Sequence, residues 1–104
     1  MAWVLLTFAG ILEIVWAFFM KQSHGFTKLG PSVITIVAMI ASFALLSMSM
    51  KTLPLGTAYT IWTGIGAVGA FIVGLMFLGE PANTMRIIAA VLIVSGLVMM
   101  KLSS

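Results

Sequence analysis

Between Lys28 and Lys51 the chain carries no charged residue at all. A bilayer core of ~30 Å is crossed by about 20 apolar residues in a helix, so this stretch is long enough to span it. Lipid offers the backbone no hydrogen-bond partners, which leaves a helix as the only form for a lone span. The pattern recurs. Ala2 to Met20 is broken only by Glu13, and a third apolar run goes from about Gly56 to Leu78. The last, Ile87 to Met100, is shorter and lies between Arg86 and Lys101. Snorkelling by those two side chains, with Thr84 and Met85, extends it to a full span. The expectation is an all-α integral membrane protein of four transmembrane helices, at about 2–20, 30–50, 56–78 and 84–102, forming one domain over 1–104.

The connections fit. Lys21 to Lys28 is a short polar loop, and Pro31 suits the first turn of a helix. Lys51 and Pro54 mark a tight link, and Gly79-Glu80-Pro81-Ala82-Asn83 ends the third run. The first run lacks a basic leader, carries a carboxylate and is followed by three more spans, so it reads as a mature span and not a signal peptide.

Only 7% of the 104 residues are charged, against roughly 25% in a soluble domain. The net charge of +3 comes from scattered lysines and one arginine at span ends, not from a basic patch for nucleic acid. With no Cys, no Asp, one His and two Glu, no metal cluster, disulfide or thiol chemistry is expected. No nucleophile sits beside a base, and no glycine-rich phosphate loop follows a strand. The reading is no enzyme, no cofactor and no metal. The nine Met residues suit adaptable packing.

Four spans place both termini and the second loop on one side, with Lys51 and Lys101. The other side has Lys21, Lys28 and Arg86. Three against two is almost no bias under the positive-inside rule. Noise in a short chain gives such a count, and so does a protein that inserts both ways round. A helix is about 10 Å across with its side chains, so four barely make a dry bundle. A polar pathway therefore calls for an oligomer.

Glu13 is the residue most expected to carry chemistry. An ionised carboxylate near the middle of a span costs at least a few kcal/mol unless paired or wetted. Apolar surroundings favour the neutral acid, whereas a bound cation favours the charged form. One group can thus hold a proton or a cation, each expelling the other, as an antiporter requires. The bland alternative is a Glu kept protonated between helices. Gly10 and Trp16, three residues either side, share its helical face. Trp16 brings an indole N–H and a π face, or serves as an interfacial belt residue.

In the third run Tyr59, Trp62 and Thr63 repeat the theme, unless they are ordinary aromatic packing. Gly64 and Gly66 follow at once, a place for a kink or for close helix packing. Ser42 in the second run could bond Glu13 or its own helix. Met39, one turn earlier, could line an opening toward lipid. In the fourth run Ala89, Ser95 and Gly96 form a small-residue stripe suited to dimerisation.

These residues fall into recognisable motifs: Ala9-Gly10-Ile11-Leu12-Glu13-Ile14-Val15-Trp16-Ala17, His24-Gly25-Phe26-Thr27-Lys28, Pro31-Ser32-Val33-Ile34-Thr35, and the run from Leu53 to Gly66. Over essentially its full length the chain resembles the small multidrug resistance family. Trp16 after Glu13, and Lys51-Thr52-Leu53-Pro54, are similar to its guanidinium-exporting branch. Thr60 stands where Ala is usual.

The resemblance implies an antiparallel, dual-topology homodimer in the bacterial inner membrane, driven by proton influx. A heterodimer of two paralogues is also found in the family. It implies a shared site in which Glu13 of both copies binds substrate or protons, lined by Trp16, Ser42, Tyr59 and Trp62. Gly10, Met39 and Thr63 support it, and Gly64 and Gly66 act as a hinge. The substrate implied is guanidinium or a small substituted guanidinium. The alternative on the same fold is a quaternary ammonium, which lacks N–H donors and wants an aromatic cage.

Overall fold

The computed structural model describes residues 1–103. It consists of four helices: α1 (Ala2–Gln22), α2 (Leu29–Ser49), α3 (Leu55–Phe77) and α4 (Thr84–Leu102). Their 19 to 23 residues correspond to about 28–35 Å of helix, enough to cross a hydrocarbon core.

The ends of the helices have local causes. Lys28 and Pro54 are extended N-caps of α2 and α3, and Pro31 lies in the first turn of α2. Asn83 starts α4 by accepting a hydrogen bond from the Arg86 amide at 2.9 Å. It supplies one of the partners that a helix start lacks. The loop after α1 folds around the fully buried Ser23. Its hydroxyl donates to the Met20 carbonyl at 2.7 Å and accepts from the Phe26 amide at 3.0 Å. His24, Gly25 and Phe26 all turn through positive φ, which makes the connection tight and leaves His24 in solvent.

α1 is the centre of the arrangement and packs against both α2 and α3. α2 and α3 touch only lightly, and α4 packs against α3 alone. α2 turns one narrow face inward: Ser32, Thr35, Ala38, Ser42, Leu46 and Ser49 are its buried residues. Their spacing of three or four keeps them on one stripe. Small side chains there let two backbones approach, which is the main source of helix adhesion in lipid. Thr35 and Ser49 satisfy their hydroxyls on carbonyls of their own helix, at 2.8 and 2.7 Å.

A core of Leu6, Ala9, Leu46, Ala58, Ile61 and Trp62 lies toward the end that carries both termini, with Trp3, Leu97 and Met100 packed on it. At that end Lys101 reaches over the Trp3 ring, 4.2 Å from its centroid. At the other end Arg86 lies 5.4 Å from the Phe71 centroid. Long cationic side chains thus rest their charge at the rims of the layer.

The chain is a slab of 40 × 35 × 16 Å, little more than one helix thick in places. α4 buries no residue in it. Ile87, Ile88, Val91, Leu92, Val94 and Val98 remain exposed along that helix.

Candidate functional site

Glu13 lies on the face of α1 that meets α3. Its carboxyl group occupies the space directly above Gly66, where a Cβ would collide with it. Glu13 Oε1 is buried and has no hydrogen-bond partner within the chain. One turn further on, the indole Nε1 of Trp16 is in the same condition. A buried polar group without a partner costs about 1–3 kcal/mol. Here an acceptor and a donor stand unfilled a turn apart on one helix. One turn the other way Gly10 is buried, and a Cβ there would lie 2.6 Å from Ile65 Cγ2. The missing side chains on Gly10 and Gly66 are what let α1 and α3 close around the carboxyl.

Ser42 does neither of the two things open to it from the sequence alone. Its fully buried hydroxyl donates across the helix boundary to the Ala9 carbonyl of α1, at 2.6 Å. It accepts from Trp62 Nε1 of α3 at 3.0 Å. This three-membered chain ties α1, α2 and α3 together and fixes the indole of Trp62. The sequence pattern could not have shown it, because the partners are 33 and 20 residues apart.

The aromatic groups form a row. Trp16 meets Phe43 edge to face with centroids 6.4 Å apart, and Phe43 meets Trp62 at 5.6 Å. Tyr59 follows at 5.7 Å from Trp62. Phe43 is the member that sequence reasoning missed. It follows Ser42 directly and lies one turn beyond Met39, so a helical reading of α2 around those two residues could have found it. Met39 itself is half-buried.

Thr63 is exposed and, with Tyr59, lines a cavity of about 490 Å³ between α3 and α4. Gly64 faces the same way, toward Leu97 of α4. The two glycines expected as a hinge therefore serve opposite neighbours: Gly64 admits α4 and Gly66 admits Glu13. α3 runs through both without interruption. On α4, Ala89, Ser95 and Gly96 are all exposed, and Ser95 bonds back to the Val91 carbonyl at 2.9 Å. Nothing in a single chain covers this stripe.

Four lipid-length helices around one intramembrane carboxylate and a row of aromatic rings define a multi-pass membrane protein with a polar site at mid-depth. The family model described as Small Multidrug Resistance protein matches residues 1–93. A protein named guanidinium exporter from Escherichia coli (strain K12) is 58% identical over 104 residues, covering 100% of this chain and 99% of the relative. Proteins of the same name from Citrobacter freundii and Salmonella typhimurium are 57% identical over the same 104 residues, again covering 100% of this chain and 99% of each relative. The chain belongs to the small multidrug resistance family. It is a multi-pass transporter of the bacterial inner membrane.

Proposed function

We propose that this protein exports guanidinium and small substituted guanidinium cations in exchange for protons, as an antiparallel homodimer. Small-cation export follows from family membership and from relatives named guanidinium exporter. The observation that carries the finer reading is the unfilled pair on α1, Glu13 Oε1 and Trp16 Nε1.

A guanidinium ion presents N–H donors in a planar fork, which a carboxylate accepts in bidentate fashion. Glu13 supplies the acceptor. Trp16 supplies an unpaired donor one turn from the carboxylate and a π face to the cation. Ser42, which donates to the Ala9 carbonyl and accepts from Trp62, holds one wall of the site. In an antiparallel dimer the two Glu13 carboxyls share one site and carry two protons or one cation. Two protons entering for each monovalent cation leaving moves net charge. The missing side chains at Gly64 and Gly66 put Leu97 of α4 and the Glu13 carboxyl directly against the α3 backbone, so a rocking of α3 between openings moves both neighbours with it. Ala89, Ser95 and Gly96 on α4 form the contact between copies.

The aromatic row through Trp16, Phe43, Trp62 and Tyr59 also offers the faces that a quaternary ammonium prefers. The deciding experiment records currents from purified protein in liposomes on a solid-supported membrane. Guanidinium current that vanishes in Glu13→Gln is the expected result. Tetrapropylammonium current as large as that of guanidinium moves the protein to the multidrug branch. Guanidinium transport indifferent to both membrane voltage and a pH gradient overturns proton exchange.

A further inference from the structure

The chain has two acidic residues. Both place their carboxyls against glycines of α3. Glu13 lies above Gly66, and Glu80 lies above Gly74 in the same manner, in the space a Cβ would take. Eight residues of helix separate the two glycines, about 12 Å along α3.

Glu80 is brought there by the end of the helix. The Gly74 carbonyl accepts from the Leu78 amide and from the Glu80 amide, each at 3.1 Å. Gly79 between them turns through φ +66, a conformation that glycine adopts without strain. The chain is thus folded back onto α3, and Glu80 is left half-buried. Its carboxyl lines a cavity of about 150 Å³ between the ends of α1 and α3, with Ile14, Ala17, Lys21, Ala70 and Leu78 among the other walls. At ~30 Å³ per water, that is room for about five waters, or for one small planar cation. The last carbonyls of α3 point toward this end, where the helix carries its partial negative charge. A carboxylate held at such a point is poorly placed unless a cation joins it.

Ile14 lies between the two acids. It follows Glu13 in sequence, its side chain fills the space over Gly69, and it lines the Glu80 cavity. We propose that Glu80, seated on Gly74, forms a second binding site for a small planar organic cation at the mouth of the α1–α3 seam. Ile14 is the apolar plug between this site and Glu13. Lys21 lines the same cavity and competes with the arriving cation for Glu80. A guanidinium fork makes two parallel bonds to a carboxylate where an ammonium makes one, which favours the exchange. The proposal rests on guanidinium as the cation carried.

The test uses the full-length Glu13→Gln protein in lipid nanodiscs, so that the site at mid-membrane is removed. Amide signals of Gly74, Gly79 and Glu80 are followed by NMR during titration with guanidinium chloride. Urea, a neutral molecule of similar shape, and sodium chloride at matched ionic strength are the controls. Saturable shifts with guanidinium alone are expected. Adding Glu80→Gln should raise the half-saturating concentration more than roughly tenfold, the scale of a lost charged hydrogen bond. Adding Lys21→Met instead, at a position exposed at the helix end, should lower it by roughly two- to fivefold, the scale of one exposed charge pair. No saturable shift in Glu13→Gln, equal shifts with sodium chloride, or no response to either added substitution overturns the proposal. Because Glu13 is absent throughout, the result is independent of whether guanidinium is exported through Glu13.

Discussion

At the residue scale, Glu13 and Trp16 stand out in the sequence because each contrasts with its surroundings: a charge in an apolar run, and an indole one turn from the centre of a span. Ser42 is visible as a hydroxyl, but its partners are not. Its bonds to Ala9 and Trp62 join three helices, and no local pattern encodes such contacts. Phe43 is hidden for the opposite reason, as one apolar side chain among many. The Ser42 contact leads to a prediction. Ser42→Ala leaves the buried Trp62 N–H without a partner and the Ala9 carbonyl with its helix bond alone, at a cost of about 1–3 kcal/mol. Guanidinium affinity measured by tryptophan fluorescence should fall about tenfold, and Trp62→Phe should not add to that loss, since both remove one network. A fully additive double variant means that the pair does not act as a unit. The seat of Glu13 gives a second prediction. Gly66→Ala puts a methyl group where the carboxyl lies. Transport current should fall at least tenfold, equivalent to ~1.4 kcal/mol, while the dimer persists on size-exclusion chromatography. An unaffected current means that the carboxyl does not work from this position. Proton competition has a definite sign as well. If the paired carboxyls hold either two protons or one cation, guanidinium binding weakens as pH falls, by up to about a hundredfold per unit once both acid forms predominate.

At the scale of elements, the four helices are legible because charges and prolines sit where the chain meets water. The short fourth run needed Thr84 and Met85 to reach span length, and the Asn83 cap shows why the helix begins there. Which helices touch was not legible, since apolar residues cover the lipid-facing and helix-facing sides of each run alike. The buried stripe of α2 appears only once its small residues are seen against α1. α4 is different from the rest. It leans on α3 alone and buries nothing, which leaves its small-residue surface open to a second copy. A Cβ at Gly96 meets no atom within 4 Å in the single chain. Gly96→Leu combined with Ala89→Leu should therefore leave the helices of one chain intact by circular dichroism. The same pair should weaken self-association in detergent by about tenfold or more, because bulk at a small-residue seam separates the backbones. Unchanged self-association would move the contact between copies away from this stripe.

For the whole molecule, the consequence of a slab 16 Å thick is that no single chain can surround a cation and shield it from lipid. Helix diameter already implied an oligomer from the sequence, but not its symmetry. The three-against-two distribution of basic residues is compatible with insertion in both orientations, and this can be turned into a decisive manipulation. Lys28→Ala with Thr52→Lys and Ser103→Lys gives the side of the termini four basic residues against two. Lys51→Ala with Ala82→Lys gives it one against four. By the positive-inside rule each set should insert in one orientation only. Neither alters Glu13, Trp16, Ser42, Tyr59 or Trp62. In an antiparallel dimer each set expressed alone lacks its partner, so guanidinium resistance in an export-deficient strain should be lost. Expressed together, the two sets should restore it, because one inserts each way round. Accessibility of a single cysteine in the first loop, probed from outside the cell, verifies the orientation of each set. If either set alone, shown to be uniformly oriented, supports full resistance, the working unit is parallel or monomeric. The paired carboxyls would then have to be brought together by some other symmetry.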